Sequence, residues 1–197
     1  AHLTGTKKVV MSFFAGDLRV ALLSTHLSLR DAIEKVTSEN LIELIVFCSH
    51  ELQRLLRRKP KIAVAGLNPH ASEGGLFGSE EATAITPAIN ECISAHAIDV
   101  SGPFSPDTIF LRAFRGEFDA VIALYHDQAT VPVKSLSFGS AVNVTLGLPL
   151  IRTSVDHGTA FDIAGRGVAD ASSMVAAIKL AAELVRNTKD ETLGQSC

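Results

Sequence analysis

The chain has 197 residues, 47% of them hydrophobic and 20% charged, with a formal net charge of -3. Such a length and composition allow one well-buried core, or one domain with part of another, and exclude a disordered or fibrous chain. The small negative charge gives no electrostatic reason to expect nucleic acid or an anionic membrane surface as a partner.

Three cysteines, Cys48, Cys92 and Cys197, make an odd number with no close pair. That fits neither a disulfide framework nor a zinc knuckle and points to a reducing cytoplasm. No apolar run reaches the roughly 18 residues a membrane span needs, and the first residues lack the charged-then-apolar order of a signal peptide. Ala1-His2-Leu3 lacks an initiator methionine, so a fragment is expected.

In chain order, Lys7 to Phe14 and Leu18 to Ser24 read as strands around a turn at Ala15-Gly16-Asp17. A helix follows from about Leu29, and a longer one from Leu41 to Arg58, with Ser28 and Thr37 or Ser38 as caps. The basic residues from Arg54 to Lys61 then fall at a helix end, where cations offset the dipole and solvent receives them. Lys61 to Ala65 reads as a buried strand that opens into the glycine-rich loop Leu67 to Gly78. Ser79-Glu80-Glu81 looks like a capped, acidic helix start, and Pro87 should kink the helix that follows.

Ile98 to Val100, Ala120 to Tyr125, Val142 to Leu146 and Leu150 to Ser154 read as further strands, and Ala169 to Asn187 as an amphipathic helix. This alternation predicts an α/β protein with a largely parallel sheet flanked by helices. No repeat or linker divides residues 1–197, so a single unit is expected.

Of seven histidines, His50 and His96 fall in helical patterns and read as structural or surface residues. His26, His70 and His126 each follow a predicted strand or its first loop residues. Ligands of open α/β sheets bind beyond the carboxyl ends of the strands, so three imidazoles there could hold a divalent metal. From position alone, three unrelated loop histidines are the stronger reading, since spacing this wide is not a motif. Asp127 could orient the neighbouring imidazole, whereas Asp107 in a Pro-rich loop reads as a turn former. Lys134, Asn143 and Arg152 offer an ammonium, an amide and a guanidinium near strand ends, a set suited to phosphate or carboxylate. The stretch from Asp156 to Gly167 carries three glycines around a polar turn that can bring backbone close to a cofactor or serve as a plain connector.

Several segments together resemble the 4-hydroxythreonine-4-phosphate dehydrogenase family of vitamin B6 synthesis. They are Leu67-Asn68-Pro69-His70 with Glu73-Gly74-Gly75, Gly102-Pro103 with Pro106-Asp107-Thr108, and Tyr125-His126-Asp127-Gln128. Val142 to Pro149 and Arg152 to Ala160 complete the series. The resemblance implies the fold of isocitrate and isopropylmalate dehydrogenases, with this chain matching the C-terminal part and the N-terminal portion lacking a counterpart. It implies metal ligation by His26, His70 and His126, the last from the partner subunit of a homodimer with a shared active site. It also implies substrate contacts at Lys134, Asn143 and Arg152, and an adenosine-binding loop at His157, Gly158, Asp162 and Gly165.

The expected activity is metal-assisted oxidation and decarboxylation of a phosphorylated hydroxy acid such as 4-phosphooxy-L-threonine, with Lys134 and Asp127 as catalytic residues. NAD, or NADP, takes the hydride. Zinc is the first expectation for the metal, with cobalt, nickel, magnesium and manganese as alternatives. The sequence Ala129 to Lys134, with its Pro132, resembles the paralogous branch that acts on 4-phospho-threonate or 4-phospho-erythronate. A non-catalytic relative retaining metal binding and the dimer surface is the other alternative.

Overall fold

Apolar strands and amphipathic helices alternate because each sheet face needs a covering layer. The computed structural model describes residues 2–137 and 139–189, and both Ala1 and Cys197 lie outside them. Strands β1 (Val10–Ala15) and β2 (Leu18–Leu22) form a hairpin, with Ala15 opposite Leu18. Helices α1 (Leu29–Glu34) and α2 (Ser38–Leu56) follow, capped as expected by the side chains of Ser28 and Thr37. Next come β3 (Ile62–Ala65), α3 (Thr86–Ser94), β4 (Val100–Phe104), α4 (Ile109–Phe114), β5 (Ala120–Ala123) and α5 (His126–Ser137). The hairpin-like pair β6 (Val142–Leu146) and β7 (Thr153–Val155) precedes the last helix, α6 (Ser172–Lys189).

The strands form one sheet in the order β4-β3-β5-β2-β1-β6-β7. Strands β4, β3, β5 and β2 are mutually parallel, whereas β1 runs against β2 and β6, and β7 against β6. The expected parallel sheet is therefore present in one half and gives way to antiparallel pairing in the other, where short connections suffice. Strand β6 points the same way as the parallel four, so β1 and β7 alone are reversed.

Alternation of side chains splits the core into two layers. On one face Phe14, Val64, Ile122 and Val144 pack with Leu41, Ile45 and Cys48 of α2 and with Ile89 of α3. On the other, Phe13, Val20, Ala63 and Val121 meet Ile109 and Phe110 of α4 and Val133 of α5. Burial pushes the Cys48 thiol up to about 12 and that of Cys92 to about 11, so both stay protonated, and both are free. No helix among the described residues is long and apolar enough to cross a membrane.

Several segments depart from the sequence reading. Helices α4 and α5 were not foreseen: Pro132 lies inside α5, where it removes the amide that would bond the Gln128 carbonyl, and the flanking apolar faces still hold the helix in place. The helix start expected at Ser79 is present and runs through a π-helical turn, Glu81–Ile85, directly into α3, so the irregularity falls just before Pro87, whose ring and missing N–H disfavour regular bonding to the preceding turn. His96 lies in the turn after α3 rather than within a helix.

The basic run at the end of α2 is also more than a solvated helix end. Arg57 donates to the Asn187 carbonyl at 3.0 Å, and both guanidinium nitrogens of Arg58 reach the Asp119 carboxylate, one at 2.7 Å. Asp119 accepts the Lys61 amide as well, at 2.8 Å, so this carboxylate joins the end of α2 to the starts of β3 and β5. Burial alone would raise the Asp119 carboxyl, but the Arg58 hydrogen bond, the Lys61 amide and the charges of Arg58 and Arg19 outweigh it and hold it below the ordinary range. The native carboxyl thus titrates below the unfolded one, so its stabilisation is complete well above pH ~4, the ordinary Asp value, and is lost as pH falls through the native value. Asp119→Asn should cost about 1–3 kcal/mol in urea unfolding at neutral pH, and the gap from the parent should narrow on acidification.

Candidate active site at the strand ends

The parallel strands deliver polar side chains to their shared carboxyl edge, as doubly layered α/β sheets do. Beyond β2, His26 is exposed; beyond β5, His126 opens α5. Their ring centroids stand 5.8 Å apart with planes inclined by 39°. With a zinc–nitrogen distance of about 2.0–2.1 Å, two imidazoles on one ion take centroid separations on the order of 5–6 Å, so this pair fits a divalent metal. Asp127 Oδ1 lies 2.6 Å from His126 Nδ1. When Nδ1 donates that bond, Nε2 keeps its lone pair for a ligand, which is the orienting role expected of Asp127.

His70 is delivered differently. Beyond β3 the chain enters a tight turn, Pro69–Gly75, in which His70, Ala71, Ser72, Glu73 and Gly74 all have positive φ, between 47° and 72°. Left-handed backbone costs a non-glycine residue roughly 1–2 kcal/mol, so four in a row persist only where neighbours fix them. The fixing is visible. Buried Glu81 accepts the Leu67 amide at 2.8 Å and the Asn68 amide at 2.7 Å through Oε1, and the Asn68 side chain at 2.8 Å through Oε2. Asn68 Nδ2 also donates to Glu80 at 2.8 Å, and Ser72 Oγ accepts the Gly75 amide at 2.9 Å. The Asn68 hydrogen bond, first among its causes, holds the Glu80 carboxyl below its ordinary value.

The His70 ring is 62% exposed, 4.0 Å from Asp107 Oδ2 and 6.5 Å from the Phe77 ring centroid. Asp107 forms the expected turn by accepting Ser105 Oγ, and it also faces this imidazole. No group of three or more metal-ligating side chains converges among the described residues of one chain. The three histidines are therefore two and one: His26 pairs with His126, and His70 stands apart. Within one chain His126 thus lies beside His26, while His70 sits on a separate turn.

Lys134 lies in the last turn of α5, eight residues beyond His126 and so about 12 Å along the helix axis. It lines a cavity of about 560 Å³ with Ser137, Asp156, His157 and Asp170. Burial raises the Asp156 carboxyl above its ordinary value, an effect that the charges of Lys134, His157 and His126 reduce. Asn143 and Arg152 are outside that cavity's lining. They share a face of the β6–β7 pair, since Asn143 is opposite Ser154 and the Thr145 amide bonds the Arg152 carbonyl. Arg152 also donates to Thr145 Oγ1 at 2.9 Å. Phe13, opposite Asn143, packs into the α4–α5 layer, which puts Asn143 and Arg152 on the sheet face that α5 covers. In the following loop, His157, Gly158 and Gly165 line a second cavity of about 600 Å³; Asp162, in the 3-10 turn Phe161–Ile163, is not part of its lining.

Glu81, Gln128 and Asp156 were not singled out from the sequence. Glu81 reads in sequence as a first-turn acid of a helix, and Gln128 lies in a helix that the sequence reading does not contain. The neighbours of His70 and His126 at each loop root were the one available signal.

An α/β sheet with imidazoles at the carboxyl ends of its parallel strands, and a guanidinium and an amide on one sheet face, has the arrangement in which open α/β sheets receive small molecules. The pyridoxal phosphate biosynthetic protein PdxA family matches residues 1–181, and the chain belongs to that family. A 4-hydroxythreonine-4-phosphate dehydrogenase of Geobacter metallireducens is 51% identical over 186 residues, which cover 94% of this chain and 55% of the relative. A D-threonate 4-phosphate dehydrogenase of Cupriavidus necator is likewise 51% identical, covering 93% and 55%. The crystal structure of 4-hydroxythreonine-4-phosphate dehydrogenase from Klebsiella pneumoniae superposes with a TM-score of 0.84 at 44% identity, over 93% of this chain and 56% of that one. The fold is thus the isocitrate dehydrogenase-like one of these proteins, and the chain spans about half the length of the relatives it matches.

The turn that carries His70 folds back on its own strand: a Cβ on Gly66 would stand 2.9 Å from Ala71 Cα. Gly66→Ala should therefore push the left-handed turn off the strand end and cost about 1–3 kcal/mol in chemical denaturation, with the far-ultraviolet spectrum unchanged.

Proposed function

We propose that this chain carries the metal, substrate and cofactor residues of a dehydrogenase that oxidises and decarboxylates a 4-phosphorylated hydroxy acid. The observation that carries the reading is the His26–His126 pair, with Asp127 on the Nδ1 of His126. The names of the two relatives share a four-carbon hydroxy acid phosphorylated at position 4, and 4-phosphooxy-L-threonine and 4-phospho-D-threonate both belong to that class.

The donor set fits a divalent ion held by His26 and His126 of one copy and His70 of a second, in a homodimer with a shared site. Imidazole nitrogen suits zinc first, with cobalt and nickel close behind and magnesium and manganese least favoured. When bound, such an ion is a Lewis acid that acidifies a substrate hydroxyl and stabilises charge on a neighbouring oxygen. Arg152 and Asn143 would take the phosphate or carboxylate through charge-assisted hydrogen bonds. Lys134 would clamp an anionic group in its cavity or return a proton to the carbon that loses CO2. The glycine backbone around His157, Gly158 and Gly165, with Asp162 nearby, would receive the adenosine end of NAD or NADP, which takes the hydride. A metabolic enzyme of this type, without a membrane or nucleic-acid partner, belongs in the cytoplasm.

The division of ligands is testable by mixing variants. Each of His26→Ala, His70→Ala and His126→Ala should lose bound metal by elemental analysis, together with NAD reduction. In a symmetric dimer with two shared sites, co-refolding His26→Ala with His70→Ala should restore roughly a quarter of both signals, because half the dimers are hybrids with one intact site. Co-refolding His26→Ala with His126→Ala should restore neither. Recovery in that second mixture would overturn the proposed division, and full metal content in His70→Ala would remove that residue from the site.

A further inference from the structure

The helix start that carries His126 and the turn that carries His70 leave adjacent parallel strands, β5 and β3, and one buried side chain bridges them. Gln128 Oε1 accepts the Leu124 amide at 2.7 Å, and Gln128 Nε2 donates to the Gly66 carbonyl at 2.7 Å. Leu124 is two residues before His126, and Gly66 is four before His70. Beyond Ala65 and Ala123 the sheet ladder has ended, so these backbone groups need other partners. The rest of the root is closed as well: the Gly66 amide bonds the Phe104 carbonyl at 2.8 Å, and Glu81 takes the next two amides.

A planar carboxamide presents one donor and one acceptor side by side, which this gap requires. A hydrocarbon of the same size would leave both backbone groups unpaired, and a carboxylate would set oxygen against the Gly66 carbonyl. Through this one side chain a direct polar connection runs from Leu124 to Gly66.

We propose that Gln128 is a positioning residue that, by bridging Leu124 N and Gly66 O, fixes the His126 helix start relative to the His70 turn. This rests on the metal reading above. It adds a consequence for a shared site: the same bridge ties the imidazole a chain gives to its partner to the pair it keeps. Glu81 acts on the same root, so disturbing it displaces His70 in the same sense.

Cobalt(II) titration of the purified chain, followed by visible absorption, tests this without turnover. Gln128→Leu should weaken cobalt affinity about tenfold to a hundredfold, the range seen when a ligand's orienting partner is lost, and should change the intensity of the ligand-field bands. Circular dichroism of the metal-free protein should stay that of the parent. If Gln128→Leu does not fold, Glu81→Gln, which keeps the volume and loses an acceptor, should shift the cobalt spectrum in the same direction. Parental affinity and bands in a folded Gln128→Leu or Glu81→Gln would overturn the positioning role. Failure of the parent chain to take up cobalt would instead sink the metal reading itself, so the two failures are distinguishable.

Discussion

Where a β-ladder stops, its last amides and carbonyls still need partners, and at the carboxyl ends of β3 and β5 two buried side chains supply them. Glu81 takes the Leu67 and Asn68 amides, and Gln128 spans Leu124 and Gly66. Without them the first loop residues would carry unsatisfied groups in a buried setting, at about 1–3 kcal/mol each. With them, loops that would otherwise be free connectors become fixed extensions of the sheet. His70 with its left-handed turn, and the helix start at His126, inherit their positions from these bonds.

Much of the fold was legible because period and punctuation agree. Strands β1, β2, β3, β5 and β6, the caps at Ser28 and Thr37, and the long helices α2 and α6 follow from alternation, helical spacing and hydroxyl caps. Helices α4 and α5 were hidden because their packing overrides local signals: Pro132 argues against a helix, yet Ala129 and Val133 bury a face against β2 and β5. The antiparallel half of the sheet was equally silent, since neighbours in a sheet are chosen by the whole chain. Nothing local tells β1 to sit between β2 and β6.

The site was legible in a different way. Strand-end placement picked out His26, His70 and His126, but only the resemblance joined them into one set. The structure then regroups them, placing His26 beside His126 and leaving His70 on its own turn. Lys134 is separated from His126 by two helical turns, a distance that no linear motif shows, while Asn143 and Arg152 share a sheet face through register alone. Family membership explains why these residue types occur together.

Handedness gives the turn at His70 a particular kind of rigidity. A residue in the left-handed well is separated from the right-handed one by a steric barrier, and here four non-glycine residues in succession occupy that well. Glu81 holds the two amides just before this run, so the His70 backbone is preset on the strand end. Whatever His70 binds meets a backbone already in place, with only the torsions of an exposed side chain left to choose.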